Sequence, residues 1–385
     1  MAIMSKAATI IAVVILVVLA DPATAQDSRA EVIQNAQAQK LSIVTPPQPN
    51  RAERIIDRLE DWGLFAGAPR GLYPWVGSVY PGSGFTLGVG LRQAFADDGA
   101  VNTFGAYSTT GSTRAEAHVL LPTFARQRAR VTGSGQYLDA AEVKYFGIGN
   151  DSAKEHLTYF GYTPKRVGAQ LDVTATRKLA LGGGVSYLAN DASDLERVSV
   201  DYLNSTARAA FDWRRRPGYS GSGGFYRVQF DDYAQRSDNR QSFRSVEAEV
   251  LQLVPIMRAN WVIAVRGLAT LTDIDTGSTI PFFMLPSLGG GSTLRGYPDF
   301  RFRDRHRMLM TAEVRWTPAR FLDMAVFYDT GKVAATRDDL NFDDLKQSYG
   351  IGARIVSVKG YILRMEVAHS REHAARFLFK AGGGL

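Results

Sequence analysis

The fold of this chain is decided by an alternating stretch at residues 167–176, Val167-Gly168-Ala169-Gln170-Leu171-Asp172-Val173-Thr174-Ala175-Thr176. Its odd-numbered residues are apolar, whereas its even-numbered residues are polar or glycine. Successive side chains of a β-strand point to opposite faces of the sheet, so this period of two predicts a strand with one apolar face. Its length is also that of a tilted strand that crosses a membrane, about 9–11 residues.

The same alternation recurs along the chain, in segments at 85–92, 179–187, 207–213, 226–231, 246–250, 261–265, 308–317 and 321–331. Such strands build either a soluble sandwich with an apolar core or an outer-membrane barrel with an apolar exterior. The polar faces carry Arg, Asp, Gln and Thr, which suit a hydrated lumen, and many strands exceed the roughly 5–6 residues of a sandwich strand. We therefore predict an all-β fold, a transmembrane antiparallel β-barrel over residues 71–385.

The strand count follows from the number of alternating segments. We count about nine strands before residue 289 and five after it. Two long tracts, 101–122 and 155–177, can each hide a second strand. Bacterial barrels have even strand numbers, so the count predicts 14 or 16 strands.

Residues 1–25 have the features of a secretory signal peptide. A short first region carries Lys6, an apolar run occupies residues 7–20, and Ala-Thr-Ala at 23–25 fits a cleavage site of small residues. The alternative, an N-terminal membrane anchor, is disfavoured because the run is shorter than the roughly 20 residues that span hydrocarbon. We predict export with cleavage before Gln26.

Residues 26–70 are predicted to be a periplasmic linker that ends in a short amphipathic helix. Within 51–65, the apolar residues Ile55, Leu59 and Trp62 recur at helical spacing and form one stripe. We expect this helix to pack at the barrel mouth, with a plug inside the lumen as the alternative.

Composition narrows the function classes. The chain contains no cysteine, which excludes disulfides and thiolate metal sites. The net charge is +7, but Lys and Arg are scattered singly along the strands and do not form the basic face that contacts nucleic acid. We therefore expect no nucleic-acid partner and assign the excess charge to contacts with outer-membrane lipids and lipopolysaccharide.

A glycine-rich stretch, Gly289-Gly290-Gly291-Ser292-Thr293-Leu294-Arg295-Gly296-Tyr297, lies in a long loop between two alternating segments. On its own it is typical of a surface turn. Alternation in the next two strands, however, turns Glu313 and Asp329 toward the lumen, where a charge needs a partner or water. Because arginine can engage two carboxylates with its planar fork, we predict a re-entrant loop anchored by Arg295.

Four short motifs occur in the order Tyr145-Phe146-Gly147-Ile148-Gly149-Asn150-Asp151-Ser152, Leu294-Arg295-Gly296-Tyr297, Glu313 and Phe327-Tyr328-Asp329-Thr330-Gly331. They resemble, respectively, a Phe-Gly-x-Gly-Asn turn, a (Val/Ile)-Arg-Gly-(Phe/Tyr) loop motif, an acidic position on the next strand and a Phe-x-Asp-x-Gly strand motif. These are features of the BamA/TamA family, the bacterial surface antigen barrels that include two-partner-secretion transporters. The resemblance covers roughly residues 71–385.

The resemblance implies a 16-stranded barrel in the outer membrane of a Gram-negative bacterium, inserted there by the outer-membrane assembly machinery. It also implies that Arg295 pairs with Asp329 and Glu313 in the lumen. Family members that insert or secrete proteins carry periplasmic POTRA domains, and residues 26–70 are too few for one. We therefore expect a POTRA-less member, for which a periplasmic partner protein is a candidate.

No catalytic signature emerges from the sequence. Tyr297 occupies the position at which a phosphate-binding loop needs Lys, and the five histidines include no helical metal-binding pair. We expect no enzymatic activity, cofactor or metal. The favoured hypothesis is membrane biogenesis or protein or lipid transport. The alternatives are a passive or plugged pore or structural barrel and, third, a lipid-acting enzyme. The enzyme would need a serine beside His118, His156 or His306.

Overall fold

The computed structural model describes residues 70–381, apart from 194, 196, 216–220, 238–239, 258–259, 320 and 358–359. The signal peptide predicted at 1–25 lies outside the described residues. So do the linker and helix predicted at 26–70, except for Arg70. In the part of the chain that is described, no helix is long and apolar enough to cross a membrane.

The described chain consists almost entirely of β-strands, with two short 3-10 helices at Lys154–His156 and Phe282–Met284. In chain order the strands are β1 (Gly71–Gly77), β2 (Thr86–Phe95), β3 (Gly99–Ser108), β4 (Thr113–Leu120), β5 (Ala129–Tyr145), β6 (Thr158–Thr174), β7 (Leu179–Ser193), β8 (Val198–Asp212), β9 (Gly223–Gln235), β10 (Phe243–Ile256), β11 (Trp261–Ile274), β12 (Ser287–Leu288), β13 (Phe302–Arg303), β14 (His306–Ala319), β15 (Leu322–Ala334), β16 (Lys346–Ser357), β17 (Gly360–Ser370) and β18 (Arg376–Ala381).

Sixteen strands, β1–β11 and β14–β18, form one antiparallel sheet in which each strand is hydrogen-bonded to the next. The short strands β12 and β13 form a separate ladder. The first and last strands of the large sheet, β1 and β18, lie next to each other and nearly close the barrel. The prediction of an all-β barrel with 16 strands is confirmed, and the alternative of 14 is wrong.

The predicted distribution of strands needs one correction, because eleven sheet strands precede residue 289 where we counted nine. The tract 101–122 contains a tight turn at 109–112, closed by a 2.9 Å bond from the Ser108 N–H to the Ser112 carbonyl. The tract therefore holds the second strand that the sequence allowed, with β3 before the turn and β4 after it. The Thr and Ser residues of the turn are also compatible with a strand, so alternation did not give its position. The tract 155–177, in contrast, contains the single 17-residue strand β6.

The sheet has an apolar outer face and a more polar inner face. On β15, Met324, Val326 and Tyr328 are exposed, whereas the alternate residues Ala325, Phe327 and Asp329 are buried. Exposed apolar side chains at this period are the lipid-contacting face of a transmembrane barrel. The alternation predicted from the sequence therefore distinguishes the outer, lipid-contacting face of the sheet from its inner face.

The long connections at 146–157, 275–305 and 335–345 all follow strands of one direction, so they lie at one end of the barrel, here called the loop end. The opposite end is the turn end. An apolar cluster fills the inner side of the loop end, with members Val79, Tyr80, Val143, Phe160, Leu188, Val200, Tyr202, Phe243, Phe282, Phe283 and Leu285. The Phe282 ring packs edge-on against Phe160, 4.9 Å between centroids. The 275–305 segment is thus part of this core.

Candidate functional site

The tip of the 275–305 segment is a compact turn built on glycine. Gly289 and Gly290 have φ angles of 117° and 91°, a left-handed region that glycine adopts without strain. A Cβ at Gly289 would collide with the Pro298 carbonyl oxygen. The Thr293 hydroxyl accepts from the Gly289 N–H at 2.8 Å and donates to the Gly289 carbonyl at 2.9 Å. These bonds close the tip.

Arg295 extends from this tip to Asp329 on β15. Its Nε and Nη2 donate to Asp329 Oδ2 and Oδ1 at 2.8 and 2.6 Å, and its backbone N–H donates to Oδ2 at 3.2 Å. Arg295 is 2% exposed and Asp329 is fully buried. Two parallel bonds between planar groups fix both the position and the orientation of the guanidinium.

Two glutamates bind the remaining nitrogen of the Arg295 guanidinium. Nη1 donates to Glu313 Oε1 on β14 at 2.7 Å and to Glu366 Oε1 on β17 at 3.0 Å. The Phe327 ring centroid lies 3.4 Å from the guanidinium carbon, which adds a cation–π contact. Burial lowers the pKa of Arg295, but the hydrogen bonds and charges of the three carboxylates outweigh it and leave the pKa raised.

Three further arginines contact these carboxylates. Arg354 Nη2 on β16 donates to both Glu313 oxygens at 2.9 Å, and Arg315 Nε on β14 donates to Glu313 Oε2 at 2.8 Å. Arg364 Nε on β17 lies 2.7 Å from Glu366 Oε1. The Arg295 network is defined as Arg295, Glu313, Asp329, Glu366, Arg315, Arg354 and Arg364. Buried ions lose their hydration, and only close pairing with several partners offsets that loss.

The other residues of the loop motif also contact the barrel wall. Gly296 passes so close to β17 that a Cβ there would lie 2.5 Å from the His369 carbonyl oxygen. The Ser370 hydroxyl donates to the Gly296 carbonyl at 2.8 Å. Leu294 and Tyr297 are buried in a cluster with Leu268, Leu288, Phe302, Leu309 and Val333. The motif therefore combines an ion pair, a close backbone approach and apolar packing.

The strand motif on β15 provides the matching surface. Phe327 stacks on the guanidinium of Arg295, and Asp329 binds it. A Cβ at Gly331 would lie 2.6 Å from the Met308 carbonyl oxygen and 3.1 Å from Leu288 Cδ1 of the 275–305 segment. Glycine is thus required at position 331, where β14 and the 275–305 segment both lie close to the backbone of β15.

The turn after β5 contacts the same segment from across the loop end. The Gly149 N–H donates to the Arg303 carbonyl at 2.8 Å. Arg301 donates through Nη1 and Nη2 to the hydroxyl and carbonyl of Ser152 at 2.9 and 2.6 Å. The Asn150 amide oxygen accepts from the backbone of β15 at 3.3 Å. The structure therefore brings the motif at 145–152 together with the loop and strand motifs.

The last hairpin of the sheet is tied to the segment as well. Arg376 on β18 donates to Asp299 Oδ2 at 2.9 Å and to the Tyr297 carbonyl. Arg301 makes a bidentate pair with Glu372, between β17 and β18, at 2.7 Å for both bonds. These contacts link the segment to the strand at one edge of the sheet.

Sequence reasoning did not identify Glu366 or Arg354 as members of the site. Both were available from alternation. Glu366 lies between Met365 and Val367, which pair with the exposed Phe379 and Phe377 of β18, so its side chain takes the inner face.

The histidines named for an enzyme occupy other environments. His118 Nε2 lies 3.2 Å from Glu116 Oε2, and His306 Nδ1 accepts from the Thr272 N–H at 3.1 Å. Neither is hydrogen-bonded to a serine among the described residues. Within the same residues, no group of three or more His, Asp or Glu side chains is arranged to hold a metal ion.

Comparison with known proteins places this geometry in a family. The Omp85 superfamily domain matches residues 99–362. BamA from Haemophilus ducreyi lacking POTRA domains 1–3 is a structural match with a TM-score of 0.66 and 16% identity, over 85% of this chain and 77% of that chain.

Two further structural matches are CdiB proteins. CdiB from Escherichia coli matches with a TM-score of 0.57 and 13% identity, over 81% of this chain and 63% of that chain. CdiB from Acinetobacter baumannii matches with a TM-score of 0.50 and 10% identity, over 82% and 56%. No curated protein matches by sequence. At these identities the structural matches support the fold, and the family match extends over more than half of the chain. The chain belongs to the Omp85 superfamily.

Proposed function

We propose that this protein is an outer-membrane barrel of a Gram-negative bacterium that inserts or transports client proteins or lipids through the seam between β1 and β18. The single observation that carries the proposal is this seam. Every other neighbouring pair in the sheet forms a hydrogen-bonded ladder, whereas no β1–β18 ladder is found among the described residues. With 7 and 6 residues, β1 and β18 are also the two shortest strands of the sheet in the described chain.

An unpaired strand edge is costly in lipid, because its N–H and C=O groups have no water to bind. A client strand that pairs with such an edge satisfies these groups by β-augmentation. The seam therefore provides both a driving force and a template for a client that itself forms β-strands. Membership in the Omp85 superfamily supports the same role.

We propose that the Arg295 network keeps the β18 side of the seam in place. It connects the 275–305 segment to β14, β15, β16 and β17, the strands that precede the seam. Arg376 extends the connection to β18. We propose that the segment is a re-entrant anchor that holds this wall in shape while β1 moves away.

A locked seam tests the proposal. One cysteine on β1 and one on β18, introduced where their Cα atoms lie about 5.5 Å apart, would form a disulfide across the seam. The chain has no cysteine of its own, so no other disulfide can form within one chain. The full chain in phospholipid vesicles is expected to accelerate the folding of an added unfolded outer-membrane β-barrel, and the oxidised variant is expected to lose this effect.

The matched control is a cysteine pair at Leu91 and Thr103, which face each other on β2 and β3. This pair locks a ladder that is already closed, so client folding should stay as fast as with the parent chain. Reduction should restore the seam-locked variant. Equal client folding with an open and a locked seam would reject the proposed mechanism.

A plugged pore is the second candidate. It is supported by the apolar cluster at the loop end, to which the 275–305 segment contributes Phe282 and Phe283. If the segment blocks conduction, Arg295→Ala should raise ion conductance in planar bilayers. Arg208→Ala, in a partly exposed pair with Asp172, is the control and should leave it low. Unchanged conductance in Arg295→Ala would reject gating by this segment.

The partners follow from the location. We propose contacts with outer-membrane lipids and lipopolysaccharide, for which the net charge of +7 is suited. Insertion of the chain itself would use the outer-membrane assembly machinery. A periplasmic partner protein is testable by cross-linking in intact cells followed by purification of the barrel.

A further inference from the structure

The outer face of β14–β18 carries a row of apolar side chains in strand register. Trp316, Met324, Ala353, Met365 and Phe379 are paired one after the other across the five strands. Alanine is the smallest of the five and lies in the middle of the row. The side chains of the row are therefore smallest at β16, and the row has an aromatic side chain at each end.

A second row of apolar side chains runs beside the first, offset from it by two residues on each strand. Its members on β15 and β16, Val326 and Ile351, are 60% and 61% exposed. Between the two rows is a furrow of about 410 Å³, lined almost wholly by apolar groups, with Ala353 of the first row and Ile351 of the second among its lining residues. Because the outward side chain of Ala353 is only a methyl group, the barrel itself does not fill the furrow at β16.

The length and position of the furrow indicate what fills it. Neighbouring strands are about 4.8 Å apart, so a furrow across five strands extends for about 19 Å. Barrel strands tilt by about 35–45°, so the furrow runs obliquely through a leaflet, which is half of a hydrocarbon core about 30 Å thick. An extended hydrocarbon chain has this shape and polarity.

One end of the furrow has the features of a membrane interface. Trp316 stacks on Trp261 of β11, with ring centroids 5.7 Å apart, and both lie near the turn end of their strands. Tryptophan is enriched at the headgroup level because its ring is apolar and its N–H is polar. Along the furrow, Met324 beside Trp316 and Met365 on β17 have flexible thioethers that adapt to an irregular ligand.

We propose that this furrow, continuous with the lipid-contacting face of the barrel, holds one acyl chain of a phospholipid whose headgroup lies at the Trp261–Trp316 pair. The inference rests on the proposed membrane location. In hydrocarbon there is no hydrophobic gain from burial, so retention depends on close van der Waals contact between chain and furrow. A lipid held in this way stays with the barrel longer than its neighbours do.

Native mass spectrometry can count such a lipid. The full chain is reconstituted in vesicles of equal parts phosphatidylethanolamine and phosphatidylglycerol and then extracted into a mild nonionic detergent. We expect one retained phospholipid per barrel. Ala353→Phe fills the furrow and should lower that occupancy by about tenfold, since the added ring takes the space of the acyl chain.

Ala209→Phe is the matched control, because Ala209 also faces outward, on β8, between Leu181 and Val228. It should retain the lipid. If Ala353→Phe does not fold, Met365→Trp reaches the same furrow from β17 and should have the same effect. Retention of lipid by a folded furrow variant at the level of the parent chain would overturn the proposal.

The two proposals fail in different ways. A barrel that inserts into the vesicles but retains no phospholipid rejects the furrow and leaves the proposed location intact. A chain that does not insert into the vesicles at all rejects the location and the furrow together. Retention by the parent and the Ala209→Phe control, combined with loss in Ala353→Phe, supports both.

Discussion

Two arginines of the 275–305 segment, Arg295 and Arg303, are both almost fully buried, at 2% and 3% exposure, but their surroundings are opposite. Arg295 binds three carboxylates. Arg303 has no ion pair among the described residues. Its guanidinium lies 4.7 and 5.7 Å from the ring centroids of Phe300 and Phe160, and its Nη1 donates to the Phe282 carbonyl at 3.3 Å.

The pKa values of the two side chains move in opposite directions for this reason. The carboxylates outweigh burial and raise the pKa of Arg295, whereas burial without a carboxylate lowers the pKa of Arg303 to about 10. The pKa of Arg303 is lower in the folded protein than in the unfolded chain. At neutral pH the side chain is charged in both states, so burying this charge opposes folding. A buried arginine is therefore a stabilising anchor only where the fold also supplies its counter-charges.

The largest effect is expected from breaking the pair of Arg295 with Asp329. Arg295→Ala or Asp329→Ala leaves a buried charge without its partner, which should lower the free energy of unfolding by about 3–5 kcal/mol. Denaturant unfolding in detergent micelles, with heat-modifiability on gels as a second readout, measures the loss. Unchanged stability in both variants would remove the anchor from the account.

A control pair exists on the opposite wall. Arg208 Nη2 on β8 lies 2.5 Å from Asp172 Oδ1, and each side chain is 37% exposed. Water already solvates both groups, so Arg208→Ala should cost about 0–1 kcal/mol. A loss as large as that of Arg295→Ala would show that burial is not what separates the two sites.

The next effect concerns the close approach of the segment to the wall. Gly296→Ala places a methyl group 2.5 Å from the His369 carbonyl oxygen, and relieving this contact should cost about 1–3 kcal/mol. Gly291→Ala in the same tip is the control, since a Cβ there meets only Leu378 Cδ2, at 3.9 Å. Equal unfolding curves for the two variants would contradict the packing described for Gly296.

The smallest effect should have the opposite sign. Arg303→Met replaces an unpaired buried charge by an apolar side chain of similar length, which should leave stability unchanged or raise it by about 1 kcal/mol. Arg295→Met, the same substitution eight residues earlier, should strongly destabilise the barrel. Comparable losses in the two variants would erase the difference between the two arginines.

The barrel was predictable because alternation needs only neighbouring residues, and it gave the outer and inner faces before any contact was known. The same rule placed Glu313 and Asp329 on the inner face. The position of Arg295 did not follow from alternation, because a loop has no period. It was expected from the two unpaired acids and from the resemblance of its motif.

Other features depend on contacts between distant parts of the chain. The guanidinium of Arg303 contacts the Phe160 ring on β6 and the Phe282 carbonyl in the second 3-10 helix. No local pattern in the sequence predicts that these three residues lie together. A second strand in the tract 101–122 was foreseen, but alternation did not give the position of the turn at 109–112, because its Thr and Ser residues also fit a strand. The seam and the furrow depend on strand register, which alternation does not fix across a sheet.

The central claim, that Arg295 and Asp329 act as one unit to hold the segment against the wall, is tested most directly by a double-mutant cycle. The free energies of unfolding of Arg295→Ala, Asp329→Ala and the double variant are compared with that of the parent chain. We predict a coupling energy of about 2–3 kcal/mol, so that the double variant loses that much less stability than the sum of the two single losses. Additive losses, with a coupling near zero, would contradict the claim.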